Sequence, residues 1–182
     1  PQIADGLYPE LPFEDTKAMF SLISIIFVFS YAAGQAIFGK IFDWVGTRLG
    51  FALSIGFWSI ATALHALATS VGLFAFFRSV LGIAEAGNWP GAAKANAIWF
   101  PSNERAFAQG LFNSGAAIGG IVSIPLIGYL SIHFAWEVIF IIIGLAGLAW
   151  LIPWVVLVKA PPNRRPWTTE EEREYSLTGE RN

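Results

Sequence analysis

From Leu49 to Phe77 the chain carries no aspartate, glutamate, lysine or arginine, and from Ala18 to Gly39 it again carries none. A helix needs about 20 apolar residues to cross the hydrocarbon of a bilayer, and there every backbone polar group must be paired internally. Uncharged runs of this length restrict the fold to membrane-spanning helices. Two charges nevertheless stand in the same oily context, in Phe-Phe-Arg78-Ser-Val-Leu-Gly82-Ile-Ala-Glu85-Ala-Gly87-Asn88-Trp-Pro90. A charge at the centre of a bilayer costs about 2.5–3.5 kcal/mol even on the lenient insertion scale. Seven residues turn a helix through about 700°, so Arg78 and Glu85 fall within about 20° of one face. Such a pair usually lines a watery path for a solute or a proton.

Composition agrees: 55% of the residues are hydrophobic and 13% charged, a membrane composition and not that of a soluble domain. With no cysteine, neither a disulfide framework nor a thiolate metal site can form. Residues 1–17 hold Pro1, Pro9 and Pro12 with four acidic side chains and read as a loop. The chain begins at a proline without a signal peptide, and it is expected to be a piece of a larger membrane protein.

Five spans are expected, at about 18–39, 50–68, 72–98, 106–130 and 138–158, with Thr69-Ser70-Val71-Gly72 breaking the long uncharged run. Lys40, Arg48, Lys94, Arg105, Lys159, Arg164, Arg165, Arg173 and Arg181 then fall on one side, and Lys17 alone on the other. The positive-inside rule makes the N-terminal loop external and the C-terminal tail cytoplasmic. That tail, 159–182, opens as a proline-rich linker. Thr168 or Thr169 ahead of a run of glutamates then reads as the cap of a surface helix.

Arg78 offers a cation to an anionic solute and Glu85 a carboxylate to a proton; the competing reading is a buried ion pair that fixes helix packing. Asn88 extends the polar face by a turn. Lys94 reads as a snorkelling residue at a helix end. Tyr31 and Gln35 are four apart, hence on one helix face, where they serve either as solute hydrogen-bonders or as polar glue between helices. Asn113 carries the same two readings. Gly115 and Gly119 read as a small-xxx-small packing surface, and Pro125 and Pro153 as kinks. Gly39, Asp43, Gly46 and Arg48 read as a tight cytoplasmic turn. His65, alone in the second span, reads as a packing residue. No metal-ligand cluster, nucleophile triad or phosphate-cradling glycine loop is present, and no cofactor is implied. The basic residues follow topology, giving nucleic-acid binding no support.

Together these motifs resemble the major facilitator superfamily. Gly39-x3-Asp43-x2-Gly46-x-Arg48 is similar to the signature loop between its second and third helices, departing from it at Trp44 and Leu49. The resemblance implies an all-α polytopic bundle: five helices of the N-terminal six-helix half, helix one and the C-terminal half lying outside this sequence. Arg78-x3-Gly82-x2-Glu85-Ala-Gly87-Asn88-Trp-Pro90, continued by Trp99-Phe-Pro-x2-Glu104-Arg105-Ala and fitted later by Trp136, resembles the anion:cation symporter family, and most of all bacterial hexuronate transporters. That likeness implies import of a sugar acid with protons across the bacterial inner membrane by alternating access. Glu85 maps onto the coupling carboxylate, Arg78 onto the solute's arginine and Tyr31 onto a solute-side tyrosine; Gln35, Asn88 and Asn113 would add hydrogen bonds. Gly39, Asp43, Gly46 and Arg48 map onto the cytoplasmic gate. The expected partners are the organic anion, protons, the bilayer and the second bundle. A uniporter or a transporter of another anion, such as phosphate or an aromatic acid, is the main alternative. A non-transporting receptor of the same fold is the other, and no enzymatic constellation is visible.

Overall fold

The computed structural model describes residues 13–158 and Ile3. Among the described residues the regular structure is entirely helical: α1 (Phe13–Leu64), a 3-10 turn (His65–Leu67), α2 (Val71–Glu85), α3 (Asn88–Trp99), α4 (Arg105–His133) and α5 (Trp136–Leu157). Three helices are long and apolar enough to cross a membrane: the first, α4 and α5. At 1.5 Å per residue the 52 residues of α1 would extend about 78 Å, far beyond a hydrocarbon core of about 30 Å. It is in fact two helices joined at Gly46, whose φ of 77° and ψ of 173° lie where a side chain is strained.

Each break has a local cause. The turn expected over 39–48 is much narrower, because Gly39 and Asp43 stay helical and Gly46 alone leaves the helix. The expected loop 1–17 ends sooner as well: α1 starts at Phe13. Apart from Ile3, the rest of that loop, and the tail from Lys159 onward, lie outside the described residues. The second helix gives way after Leu64 to the 3-10 turn. Ser70 then caps α2, its hydroxyl accepting from the Leu73 amide at 3.2 Å. The stretch expected as one helix over 72–98 is divided into α2 and α3. Pro90 has no N–H to give the Ala86 carbonyl, so the ladder opens at 86–87 although both residues keep helical dihedrals. Pro125 and Pro153 sit inside α4 and α5 without ending either helix.

Packing concentrates at two clusters. Ile23, Ala68, Phe74 and Trp136 form one; Phe38, Phe42, Phe51 and Ala92 form the other. Ile23 and Phe38 lie fifteen residues apart on one helix, about 22 Å of rise, so the clusters plug opposite ends of the bundle. Arg78 and Glu85 fall between them. The first half of α1 meets α2 backbone to backbone. A Cβ on Gly34 would stand 2.6 Å from the Ile83 carbonyl oxygen, and one on Gly82 would stand 2.8 Å from that of Phe27. The close packing expected at Gly115 and Gly119 is therefore found at Gly34 and Gly82 instead, and nothing approaches within 4 Å of a Cβ built on either α4 glycine. α4 makes few contacts with its neighbours and has one buried residue, Ala108.

Candidate functional site

A cavity of about 1570 Å³ opens among both halves of α1, α2, the start of α3, α4 and α5. Its lining is mainly apolar and aromatic, with Trp58, Trp136 and Trp150 among the walls. Three residues singled out from the sequence reach it: Arg78, Glu85 and Asn88. An apolar chamber with a few convergent polar groups is the usual form of a small-molecule site. Gly115 and Gly119 line the same space, which is what their missing side chains leave open.

Arg78 and Glu85 share a face but form no ion pair within 4.0 Å. The guanidinium instead lies over two rings, 5.4 Å from the centroid of Phe74 and 5.8 Å from that of Phe140. Each charge still lies within electrostatic range of the other. The competing reading of a direct packing ion pair is absent from this conformation, and both residues line the cavity. The Gly34 and Gly82 crossing brings α1 against α2 on the other flank. There the Tyr31 hydroxyl lies close to the Gln35 and Trp89 side chains and within range of Glu85. Tyr31 and Gln35 do not line the cavity themselves.

Asn113 belongs to a different constellation. Asn96 donates to the Gln109 side-chain oxygen at 2.7 Å, and Gln109 donates to the Asn113 oxygen at 3.1 Å, so three amides bridge α3 and α4. Gln109 escaped the sequence reading because it lies at the start of a span and has no charge to betray it.

The four motif residues Gly39, Asp43, Gly46 and Arg48 separate into two cross-links. Asp43 accepts from Lys94 Nζ at 2.7 Å, and the same ammonium donates to the Phe42 carbonyl at 2.7 Å. Lys94 was expected to snorkel and instead ties α3 to the end of the first helix half. Arg48 donates to the Val155 carbonyl at 3.1 Å, while the Trp154 indole donates back to the Arg48 carbonyl at 3.1 Å. Asp43 and Arg48, five residues apart, thus hold opposite neighbours: α3 for the first, α5 for the second. His65, which was read as a packing residue, is fully buried among Phe74, Phe77 and Phe140. Among the described residues no group of three or more histidine, aspartate or glutamate side chains is placed to hold a metal.

The sequence matches the Major Facilitator Superfamily over residues 5–180. The chain belongs to that superfamily. Among its relatives, a galacturonate transporter of Dickeya chrysanthemi is 36% identical over 161 residues, covering 88% of this chain and 46% of the relative. A hexuronate transporter of Escherichia coli is 34% identical over 161 residues, 88% of this chain and 37% of the relative. A probable sulfoacetate transporter of Cupriavidus necator is 32% identical over 157 residues, 86% and 36% respectively. The chain therefore spans less than half the length of the curated relatives it matches. All three carry names of transporters of organic anions. The facilitator-superfamily assignment and the long apolar helices together make this a membrane protein.

Proposed function

We propose that this chain is part of the N-terminal bundle of a proton-coupled symporter that imports a hexuronate or related sugar acid by alternating access. The observation that carries this reading is Arg78, Glu85 and Asn88 on the wall of one large apolar cavity, the two charges unpaired with each other. The names of the relatives supply the solute class. The proposed five crossings are supported by the break of α1 at Gly46, with α2 and α3 counted as one crossing. The placement of lysine and arginine puts the N-terminal end outside and the C-terminal tail in the cytoplasm of a bacterial inner membrane.

Arg78 attracts the solute carboxylate and Glu85 carries the proton. Asn88, with Tyr31, Gln35 and Asn113, adds hydrogen bonds to the hydroxyls as the helices rearrange. Asp43, held by Lys94 of α3, and Arg48, held by α5, close the cytoplasmic end. One proton moving with one monoanion is electroneutral. Any further proton gains about 2.3 kcal/mol per 100 mV of membrane potential.

The test is uptake of galacturonate and glucuronate into proteoliposomes holding the full-length protein, with and without a pH gradient. Glu85→Gln should abolish gradient-driven accumulation while leaving counterflow exchange of solute. Accumulation that survives this change refutes the coupling role. The sulfoacetate relative favours a second reading, a transporter of another small anion. Sulfoacetate uptake that exceeds that of both hexuronates decides for it.

A further inference from the structure

His65 is a costly residue to place where it is. It is 0% exposed, and its Nδ1 lies 2.7 Å from the Ala61 carbonyl oxygen, which can only accept, so Nδ1 carries the proton. Nε2 is left as a buried acceptor with no partner. A buried polar atom without a partner is rare and costs its full desolvation, a penalty that leucine would avoid. The ring must supply something other than volume.

What it touches suggests the answer. The imidazole stacks on Phe140 at 4.8 Å with an interplanar angle of 7°, and meets Phe74 edge to face at 4.9 Å. These are the two rings over which Arg78 places its guanidinium. Phe74 and Phe140 are themselves edge to face at 5.9 Å, and Trp136 closes the cluster against both. The 3-10 turn His65–Leu67 ends the helix at this level, and the bond to Ala61 fixes the plane of the imidazole. Arg78 then has no carboxylate within 4.0 Å, yet its guanidinium lies over two oriented aromatic rings at the cavity wall.

We infer that His65 is a positioning residue for Arg78: its stacked ring sets Phe140 and Phe74 as an aromatic seat that holds the guanidinium ready at the cavity before the anion arrives. This rests on the reading of Arg78 as the cation for the solute. Holding a binding group in its bound position beforehand spares the solute that ordering, so the seat strengthens affinity and not the rate of the conformational cycle. The ring face does the work, not the lone pair of Nε2.

The experiment uses the full-length protein in nanodiscs with nitrogen-15 arginine, the Arg78 side-chain resonance being assigned through Arg78→Lys. In the native protein that resonance should be displaced upfield by the rings beneath it. His65→Leu should remove the displacement and weaken galacturonate binding by roughly three- to thirtyfold, the range set by one cation–aromatic contact, while maximal exchange flux stays close to native. His65→Phe, which keeps a stacking face, should restore both. Phe140→Leu reports on the same seat from the other side should His65→Leu fail to fold. Ile23→Ala is the control: it lies in the same packed cluster without a ring contact to Arg78, so it should lower Tm and leave resonance and affinity alone. Unchanged resonance and affinity in both His65→Leu and Phe140→Leu overturn the inference, as does an equal effect from Ile23→Ala. Absence of galacturonate binding by the native protein refutes the sugar-acid reading instead, and the resonance alone then decides on the seat.

Discussion

Gly34→Ala is the sharpest test of how the helices are placed around the cavity. The added methyl would stand 2.6 Å from the Ile83 carbonyl oxygen, 2.7 Å from the Ile83 Cα and 2.8 Å from the Ala86 methyl. Two of these three obstacles are backbone, so no rotamer change can relieve them. Carbon contacts are comfortable at 3.5–4.0 Å, so the two helices must part by roughly 0.8 Å. That opening also loosens the Gly82 crossing against Phe27 and Ser30 on the same seam. Overpacking of this kind costs about 1–3 kcal/mol. Alanine is also the better helix former by roughly 0.5–1 kcal/mol, which offsets part of the loss. Gly56→Ala isolates that second effect, because nothing lies within 4 Å of a Cβ at Gly56. The difference between the two variants is therefore the steric cost alone, about 1–3 kcal/mol. At roughly 2–4 °C per kcal/mol for a domain of this size, Gly34→Ala should unfold several degrees below Gly56→Ala. Thermal unfolding of the full-length protein, followed by tryptophan fluorescence, reads this directly. Equal Tm values for the two variants would refute the backbone-to-backbone crossing, and with it the approach of Tyr31 to Glu85.

Gly46→Ala places a side chain at φ 77° and ψ 173° and should cost roughly 1–3 kcal/mol, seen as a lower Tm than that of Gly39→Ala, whose site is helical and open. Lys94 and Asp43 are partly and largely exposed, at 31% and 72%, so their pair should show a double-mutant coupling of about 0.2–1 kcal/mol that shrinks at high salt. Lys94→Met should cost more than Asp43→Asn, because the lysine also holds the Phe42 carbonyl; the two unfolding midpoints give the comparison.

The fold class was legible because oil punishes charge so consistently. Runs without a charge located the helices, and basic residues between them gave an expected orientation. Boundaries were less legible, since they depend on single backbone groups. Gly46 turns the chain by leaving the helix alone, and Pro90 divides one expected helix by withholding one N–H. Contacts across the bundle were the least legible. The glycine pair with the familiar spacing, Gly115 and Gly119, faces open space, whereas Gly34 and Gly82, on different helices, carry the tight crossing. Spacing along one chain segment states which residues share a face; it does not state what that face meets. The contacts of Lys94 and Gln109 were not legible for the same reason, because their partners, Asp43 and Asn96, lie 51 and 13 residues away.

The same distinction bears on Arg78 and Glu85. Helical periodicity puts both charges on one face, which favours a solute path and leaves a direct ion pair as the competing reading. A seven-residue separation corresponds to about 10.5 Å of rise, which long side chains must span to meet. What settles their conformation is a competitor absent from the helix itself: Phe140 from α5 joins Phe74 to offer the guanidinium two aromatic faces, and Arg78 takes them. A cation satisfied by ring faces keeps its five N–H donors largely uncommitted, and a carboxylate left unpaired keeps both oxygens. Two charges that neutralised each other would give an anion little reason to enter. On the function proposed above, charges held apart on one wall would give a solute carboxylate and a proton separate places.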